Sequence, residues 1–174
     1  MDALDAAQAL RGRGVPFALA TVVRREPPVS ARPGDRAVVS ADGSLEGWVG
    51  GSCAHAAVVT TALRALADGT PRLLVLDPAP GAERRAGVEV FPMACHSGGT
   101  LEIYVEPFLP RPRLVLMGAS PVAETLARLA SAVGYRVFVL DPVATRERFP
   151  DAEALFADLH AEAPFGPGET FVLV

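Results

Sequence analysis

The sequence has no lysine and no asparagine, only two cysteines and one tryptophan, and no long apolar run. All 16 basic side chains are arginines, and the 20 acidic residues give a formal net charge of −4. Proteins that bind nucleic acid carry an excess of basic residues on the binding face, because the phosphate backbone is negatively charged. We therefore do not expect nucleic acid among the partners.

The apolar runs are too short for a membrane span, which needs about 20 consecutive apolar residues. The amino terminus, MDALDAAQALRGRG, begins with acidic residues and lacks the basic and apolar segments of a secretory signal. These two absences predict a cytoplasmic protein without a membrane partner. Thiols stay reduced in that compartment, so the two cysteines do not indicate a structural disulfide.

Three prolines between Pro107 and Pro112 predict a linker that divides the chain into domains of residues 1–108 and 109–174. The first domain mixes β-rich segments with one main helix, which predicts an α+β fold. The predicted helices are 2–10 and 53–67, and the predicted strands are 17–23, 36–40, 45–49, 72–77, 88–91 and 101–106.

The second domain begins with a strand, a glycine turn, a helix and a second strand, at residues 113–117, 118–121, 122–133 and 135–140. This βαβ order predicts a truncated Rossmann-like domain with a parallel sheet, so the chain is α/β overall. Val122, Leu126 and Leu129 form the predicted packing face of its helix. A short polar helix after Asp141 and further strands near 153–157 and 171–174 complete about half of a doubly wound sheet. An uncovered sheet edge favours a homodimer or another partner that completes it.

The first candidate site is the segment Gly47 to Ala56, GWVGGSCAHA, where a short strand leads through paired glycines into a helix. Gly50 and Gly51 permit a tight turn, and Ser52 is the expected N-cap. Cys53 then lies in the first helical turn, where free N–H groups favour a thiolate or a phosphate. The predicted packing face of this helix is formed by other residues, namely Val59, Ala62, Leu63 and Leu66.

A second loop repeats this combination of cysteine, histidine and paired glycines. It contains Cys95, His96, Ser97, Gly98 and Gly99 and precedes the strand LEIYVE. Together the two loops predict a shared pocket for a polar, anionic ligand. Arginines of the proline-containing loop after the first strand, Arg24, Arg25 and Arg32, are candidates for contacts with its phosphate or carboxylate groups.

The glycine turn of the second domain resembles a dinucleotide-binding fingerprint in outline. Gly118 and Ala123 fit the pattern GxGxxA, and Asp141 follows at the end of the next strand. Ser120 stands where the middle glycine is expected, at the point of close approach to a pyrophosphate. Nucleotide binding by Gly118, Ser120 and Asp141, with NAD(P) as the cofactor, is therefore one alternative.

Taken together, the motifs resemble the XdhC/CoxI family of accessory proteins for the maturation of molybdenum hydroxylases. The resemblance rests on ATVV at residues 20–23, GGSC at 50–53, CHSGGTLEIYVEP at 95–107 and GASPVA at 118–123. It implies binding of the molybdenum cofactor (molybdopterin), with Cys53 and Cys95 as the matching cysteines. It also implies a cysteine desulfurase that installs the terminal sulfur and an apo-hydroxylase, of xanthine dehydrogenase or carbon monoxide dehydrogenase type, that receives the cofactor.

The resemblance favours a binding and delivery role over catalytic turnover, but three other hypotheses stay open. One is an NAD(P)-dependent oxidoreductase or a nucleotide-binding remnant. Another is a zinc module formed by Cys53, His55, Cys95 and His96, although His55 is also expected near the packing face of its helix. The third is a reversible disulfide between the two cysteines, which requires Cα atoms within about 7 Å.

Overall fold

A computed structural model describes residues 2–79, 86–93, 98–158 and 169–174, with the backbone alone for residue 53. The chain divides into two compact units, Met1–Leu109 and Pro110–Val174. In the described residues, no helix combines the length and the apolar character needed to cross a membrane.

The first unit combines two helices with a mixed sheet. Its elements are α1 Ala3–Gly12, β1 Phe17–Glu26, β2 Arg36–Ser40, β3 Leu45–Gly47, α2 Ser52–Asp68, β4 Arg72–Asp77, β5 Val88–Pro92 and β6 Thr100–Phe108. The described strands form one sheet in the order β3-β2-β1-β6-β4-β5, and every pair is antiparallel except β4 with β5. The central pair β1 and β6 runs in register from Phe17 opposite Phe108 to Glu26 opposite Thr100, with one irregularity after Val22.

Helix α2 packs on this sheet through small side chains. The core beneath it includes Val22, Leu74, Leu76, Leu101 and Ile103 from the strands and Ala54, Ala57, Val58, Ala62 and Ala65 from the helix. The predicted packing face was partly wrong, because Leu63 is exposed and Val59 and Leu66 are only partly buried. Alanine lets a helix approach a sheet closely, so the alanine face is buried and the larger Leu63 lies outside the contact.

The second unit confirms the predicted βαβ order and parallel sheet. Its elements are β7 Arg113–Met117, α3 Pro121–Ala132, β8 Arg136–Leu140, β9 Ala154–Phe156 and β10 Thr170–Leu173. The described strands are all parallel, in the order β10-β7-β8-β9. The fold class predicted from the sequence is therefore confirmed.

Two details of the second unit differ from the prediction. In α3 the buried side chains are Ala123, Ala127 and Ala130, whereas Val122 and Leu129 are 71% and 60% exposed. Turns replace the polar helix expected after Asp141. There the Asp141 and Thr145 side chains accept hydrogen bonds from the backbone N–H groups of Val143 and Arg148. Such local bonds compete with helix formation.

Candidate functional site

The predicted glycine turn connects β3 to α2, with one change at the helix cap. Gly51, not Ser52, is the N-cap, and its carbonyl oxygen accepts hydrogen bonds from the N–H groups of Ala54 and His55 at 3.0 and 3.2 Å. Ser52 is the first residue of the helix and not the residue before it, so its hydroxyl is not the cap. Ser52 and Cys53 are therefore the first two residues of the helix, whose backbone N–H groups have no acceptor within the helix.

A cavity of about 290 Å³ opens beside this turn. The residues that line it are Leu45, Gly47, Trp48, Val49, Gly50, Gly51, Ser52, His55 and Ala56. The position expected for His55, near the packing face of α2, was wrong: its side chain is exposed and contributes to the cavity wall. Four of the predicted or considered site residues therefore border one cavity: Gly50, Gly51, Ser52 and His55.

The second glycine pair packs against the loop that follows β1. A methyl group at Gly99 would overlap the carbonyl oxygen of Glu26 and lie 2.9 Å from the nitrogen of Pro28. Only glycine permits this close approach of two backbone segments. Gly98 precedes it with an exposed, left-handed backbone at φ 70°. The other predicted residues of this loop, Cys95, His96 and Ser97, lie outside the described residues.

The loop after β1 lies between the two glycine pairs. On one side it contacts Gly99, as above, and on the other a methyl group at Gly50 would lie 3.9 Å from Ala31 Cβ and 3.5 Å from Leu101 Cδ2. Leu101 is two residues after Gly99 in the sequence. The segments that flank both cysteine loops also share one core cluster, which contains Ala31, Val49, Ala54, Met93 and Leu101. The structure thus brings the described ends of the two loops together.

The three candidate arginines have different surroundings. Arg24 and Arg25 belong to β1 and not to the loop, because the strand continues to Glu26 opposite Thr100. The Arg24 guanidinium forms ion pairs with Glu26 at 2.7 Å and with Glu102 at 3.2 Å. Arg25 donates to the carbonyl oxygens of Val29 and Ala31 at 3.3 and 3.4 Å, which braces the loop.

Arg32 is exposed in the loop itself. Its backbone N–H donates to the Asp35 carboxylate at 2.8 Å, and we find no ion pair of its guanidinium with any described residue. A guanidinium without a carboxylate partner is available for an anionic ligand, whereas the charge of Arg24 is already compensated. Arg32 is therefore the strongest anion-binding candidate of the three.

A second cavity, of about 380 Å³, lies next to this loop and was not foreseen from the sequence. It is lined by Asp2, Ala3, Gly34, Asp35, Arg36, Gly47 and Trp48. Its residues come from α1, from the turn before β2 and from the end of β3. No local pattern could have revealed a cavity built from three separate segments.

The glycine turn of the second unit has its own arrangement. Ser120 is the N-cap of α3, and its hydroxyl oxygen accepts a hydrogen bond from the Ala123 N–H at 3.2 Å. Asp141 uses a carboxylate oxygen to accept the Val143 N–H at 2.8 Å. Gly118 has a left-handed backbone at φ 121°. Nucleotide binding at these residues stays a prediction.

The zinc hypothesis involves residues that the structure leaves undescribed. Within the described residues, no group of three or more His, Cys, Asp or Glu side chains could hold a metal ion. Cys95 and His96 fall outside them, so this hypothesis stays open, as does the reversible disulfide.

These observations define an α/β protein that carries a glycine-turn cavity in its first unit and a Rossmann-like βαβ sheet in its second. Comparison with known proteins gives a match to a protein family. Residues 10–77 match the model of the XdhC and CoxI family, which the motifs of this segment resemble. The matched segment contains Gly50, Gly51, Ser52 and Cys53 and all three candidate arginines.

A longer relative and a solved structure are also similar to the chain. The uncharacterized protein YqeB of Escherichia coli (strain K12) is 32% identical over 168 residues, which are 94% of this chain and 29% of that protein. The chain thus spans less than a third of the length of this relative. A crystal structure of a xanthine dehydrogenase from Bacillus halodurans aligns over 99% of this chain and 74% of that one, with 16% identity and a TM-score of 0.48.

Proposed function

We propose that this protein is an accessory factor that binds the molybdenum cofactor for a molybdenum hydroxylase. It holds the cofactor while a cysteine desulfurase installs the terminal sulfur and then delivers it to the apo-hydroxylase, of xanthine dehydrogenase or carbon monoxide dehydrogenase type. The observation that carries the proposal is the convergence of both glycine pairs on the loop after β1, beside the start of α2. The match of residues 10–77 to the XdhC and CoxI family supports the accessory role.

The residues at this place fit the chemical groups of the cofactor. The backbone N–H groups of Ser52 and Cys53 suit the pterin phosphate, because the first two residues of a helix have no acceptor within it and lie at the positive end of the helix dipole. The exposed guanidinium of Arg32 adds positive charge in the neighbouring loop. Cys53 lies in the same first turn, a position that favours the thiolate form of a cysteine.

A thiolate is a soft ligand, which suits contact with molybdenum or its sulfur. We propose Cys53 and Cys95 for this contact, with the amides near Gly50, Gly51, Ser52, Ser97, Gly98 and Gly99 and the side chain of His96 completing the binding loops. The bound cofactor would supply the molybdenum centre that the hydroxylase needs. The chain itself would bind, orient and shield it, which requires no bond-making catalysis by the protein.

The test is anaerobic incubation of the purified protein with molybdenum cofactor, followed by removal of free cofactor and counting of molybdenum and pterin per chain. We expect roughly one cofactor per wild-type chain and at least tenfold weaker retention for Cys53→Ala and for Cys95→Ala. Arg32→Gln should weaken retention several-fold, with a larger effect at low salt, because a charge contact is screened by ions.

Thr60→Ala is the matched control, because Thr60 is exposed on α2 two turns beyond Cys53. It should retain cofactor like the wild type. Zinc is counted in the same samples. Stoichiometric zinc, or cofactor retention that is the same in both cysteine variants and the wild type, would contradict the proposal.

A further inference from the structure

Trp48 is an unusual feature of the cavity wall, because it is the only tryptophan in the sequence and yet 51% exposed. Its neighbour Val49 is 2% exposed and belongs to the core of the first unit. A tryptophan side chain carries a large apolar surface, which proteins more often bury. Half of that surface faces solvent here although the adjacent residue is anchored.

The backbone holds Trp48 in a fixed place. Its N–H donates to the Arg36 carbonyl oxygen at 2.8 Å. The preceding Gly47 packs so closely on β2 that a methyl group there would overlap the same carbonyl oxygen and lie 2.9 Å from Ala37 Cα. The exposed indole is therefore carried by a constrained segment.

Trp48 also lines both cavities of this region. The cavity of about 290 Å³ adds the glycine turn, Ser52 and His55, and the cavity of about 380 Å³ adds Asp35 and Arg36. The apolar surface of the indole thus has hydrogen-bonding groups beside it in each of the two cavities. Small-molecule sites combine the same features, a mostly apolar wall and a few polar groups that fix orientation.

We propose that Trp48 is the stacking surface for the pterin ring system of the ligand. The inference rests on the proposed function and names the residue that recognises the organic part of the cofactor, away from the metal and the cysteines. A flat bicyclic ring gains offset stacking against an indole. A cavity near the lower end of the range of about 300–1,000 Å³ for ligand sites suits one such ring better than a dinucleotide.

The test uses a metal-free probe, 6-hydroxymethylpterin, so that neither molybdenum nor sulfur contributes to binding. Trp48 is the sole tryptophan, so the tryptophan fluorescence of the protein comes from this residue alone. We expect the probe to quench this emission saturably, and calorimetric titration to give the same affinity. Trp48→Phe should keep binding within about threefold of the wild type, and Trp48→Leu should weaken it about tenfold.

Trp48 is half-exposed and leucine is also apolar, so we expect Trp48→Leu to fold. Circular dichroism checks that it does. If Trp48→Leu does not fold, the affinities of Trp48→Phe and Trp48→His for the probe are compared instead. Both variants keep an aromatic ring, and the two rings differ in stacking strength. Tyr104→Ala is the matched control, because Tyr104 is an exposed aromatic residue on β6 outside both cavities. It should bind the probe like the wild type.

The outcomes separate this inference from the proposed function. Cysteine-dependent retention of molybdenum cofactor together with unchanged pterin affinity in Trp48→Leu would overturn the stacking role and leave cofactor delivery intact. Tryptophan-dependent pterin binding without cofactor retention would support the stacking role and overturn delivery. Equal quenching by the probe and by unrelated aromatic compounds would also overturn the inference.

Discussion

Each unit contains a turn of glycine and serine that leads into a helix, and the two turns differ in the hydrogen bonds at the N-terminus of that helix. In each, a strand leads through glycine and serine into a helix, at Gly50 to Ser52 in the first unit and at Gly118 to Ser120 in the second. In the second turn the Ser120 hydroxyl accepts the Ala123 N–H, and the following Pro121 has no N–H to donate. The Arg148 guanidinium donates to the Ala119 carbonyl oxygen and to Glu124.

The first turn has none of these closing contacts among the described residues. Its N-cap is a glycine, so no side chain takes the first N–H groups of α2, and Ser52 is exposed next to a cavity. The third N–H of each helix has an acceptor, the Ser120 hydroxyl for Ala123 and the Gly51 carbonyl oxygen for Ala54. The two turns therefore differ in the acceptor and in the first helical residue, which carries an N–H at Ser52 and none at Pro121. The availability of a helix N-terminus depends on which residue is the cap, and a shift of one position changes it.

The largest expected effect comes from adding a side chain at the turn glycines. Gly50 and Gly118 both have a left-handed backbone, at φ 126° and 121°, which costs a side-chain-bearing residue about 1–3 kcal/mol. A methyl group at Gly50 would also lie 3.1 Å from Ala54 Cβ, whereas at Gly118 nothing lies within 4 Å. Gly50→Ala should therefore reduce the free energy of unfolding by about 3 kcal/mol and Gly118→Ala by about 1–2 kcal/mol. Urea denaturation measures both.

Gly51→Ala is the control for this pair. Gly51 has an ordinary φ of −69°, and nothing lies within 4 Å of an added methyl group. Its substitution should cost less than about 1 kcal/mol, the typical size of a cap effect. A loss at Gly51 as large as that at Gly50 would show that the turn conformation differs from the one described.

The serines give the second comparison, with an effect of intermediate size. Ser120→Ala removes a side-chain cap and should destabilise the second unit by about 1 kcal/mol. Ser52→Ala removes no cap, because Gly51 holds that position, and should change stability by less than about 0.5 kcal/mol. Thermal and urea unfolding of the two variants side by side measure the difference. Equal losses would contradict the assignment of the caps.

The order and type of almost all described elements could be predicted, because periodicity and turn residues are local signals. The alternation in β6 and the stop of α2 before Gly69 are examples. The packing faces of α2 and α3 were less predictable. Large apolar residues indicated one face, but the alanines are buried because they allow closer packing against the sheet.

The site was predictable only where its signals are local. The glycine turn and Ser52 could be located, and so could the arginine-bearing segment. The partners of Arg24 could not, since Glu102 is 78 positions away in the sequence and meets it only through the pairing of β1 with β6. The placement of Trp48 between two cavities is likewise a product of tertiary structure.

The smallest expected effect is the pH dependence of stability that comes from one ion-paired carboxylate in each unit, Asp68 at the C-terminal end of α2 and Glu153 in the second unit. A hydrogen bond from Arg72, helped by the Thr70 N–H, lowers the pKa of Asp68 from 3.8 to about 2. In the second unit Arg136 lowers the pKa of Glu153 in the same way, with Nε to Oε2 at 2.7 Å. Both carboxylates bind protons less readily in the folded state, so each contributes stability above its ordinary pKa and loses that contribution as the pH falls.

For Asp68 the loss should occur between about pH 4 and pH 2, and it should be small because water and salt screen an exposed pair. Carbon-13 titration of the Asp68 carboxyl measures the pKa directly, and Asp68→Asn should make the stability of the protein less dependent on pH in this window. Glu153→Gln tests the second unit in the same way. An Asp68 carboxyl that titrates near 4 would show that Arg72 does not hold it in solution.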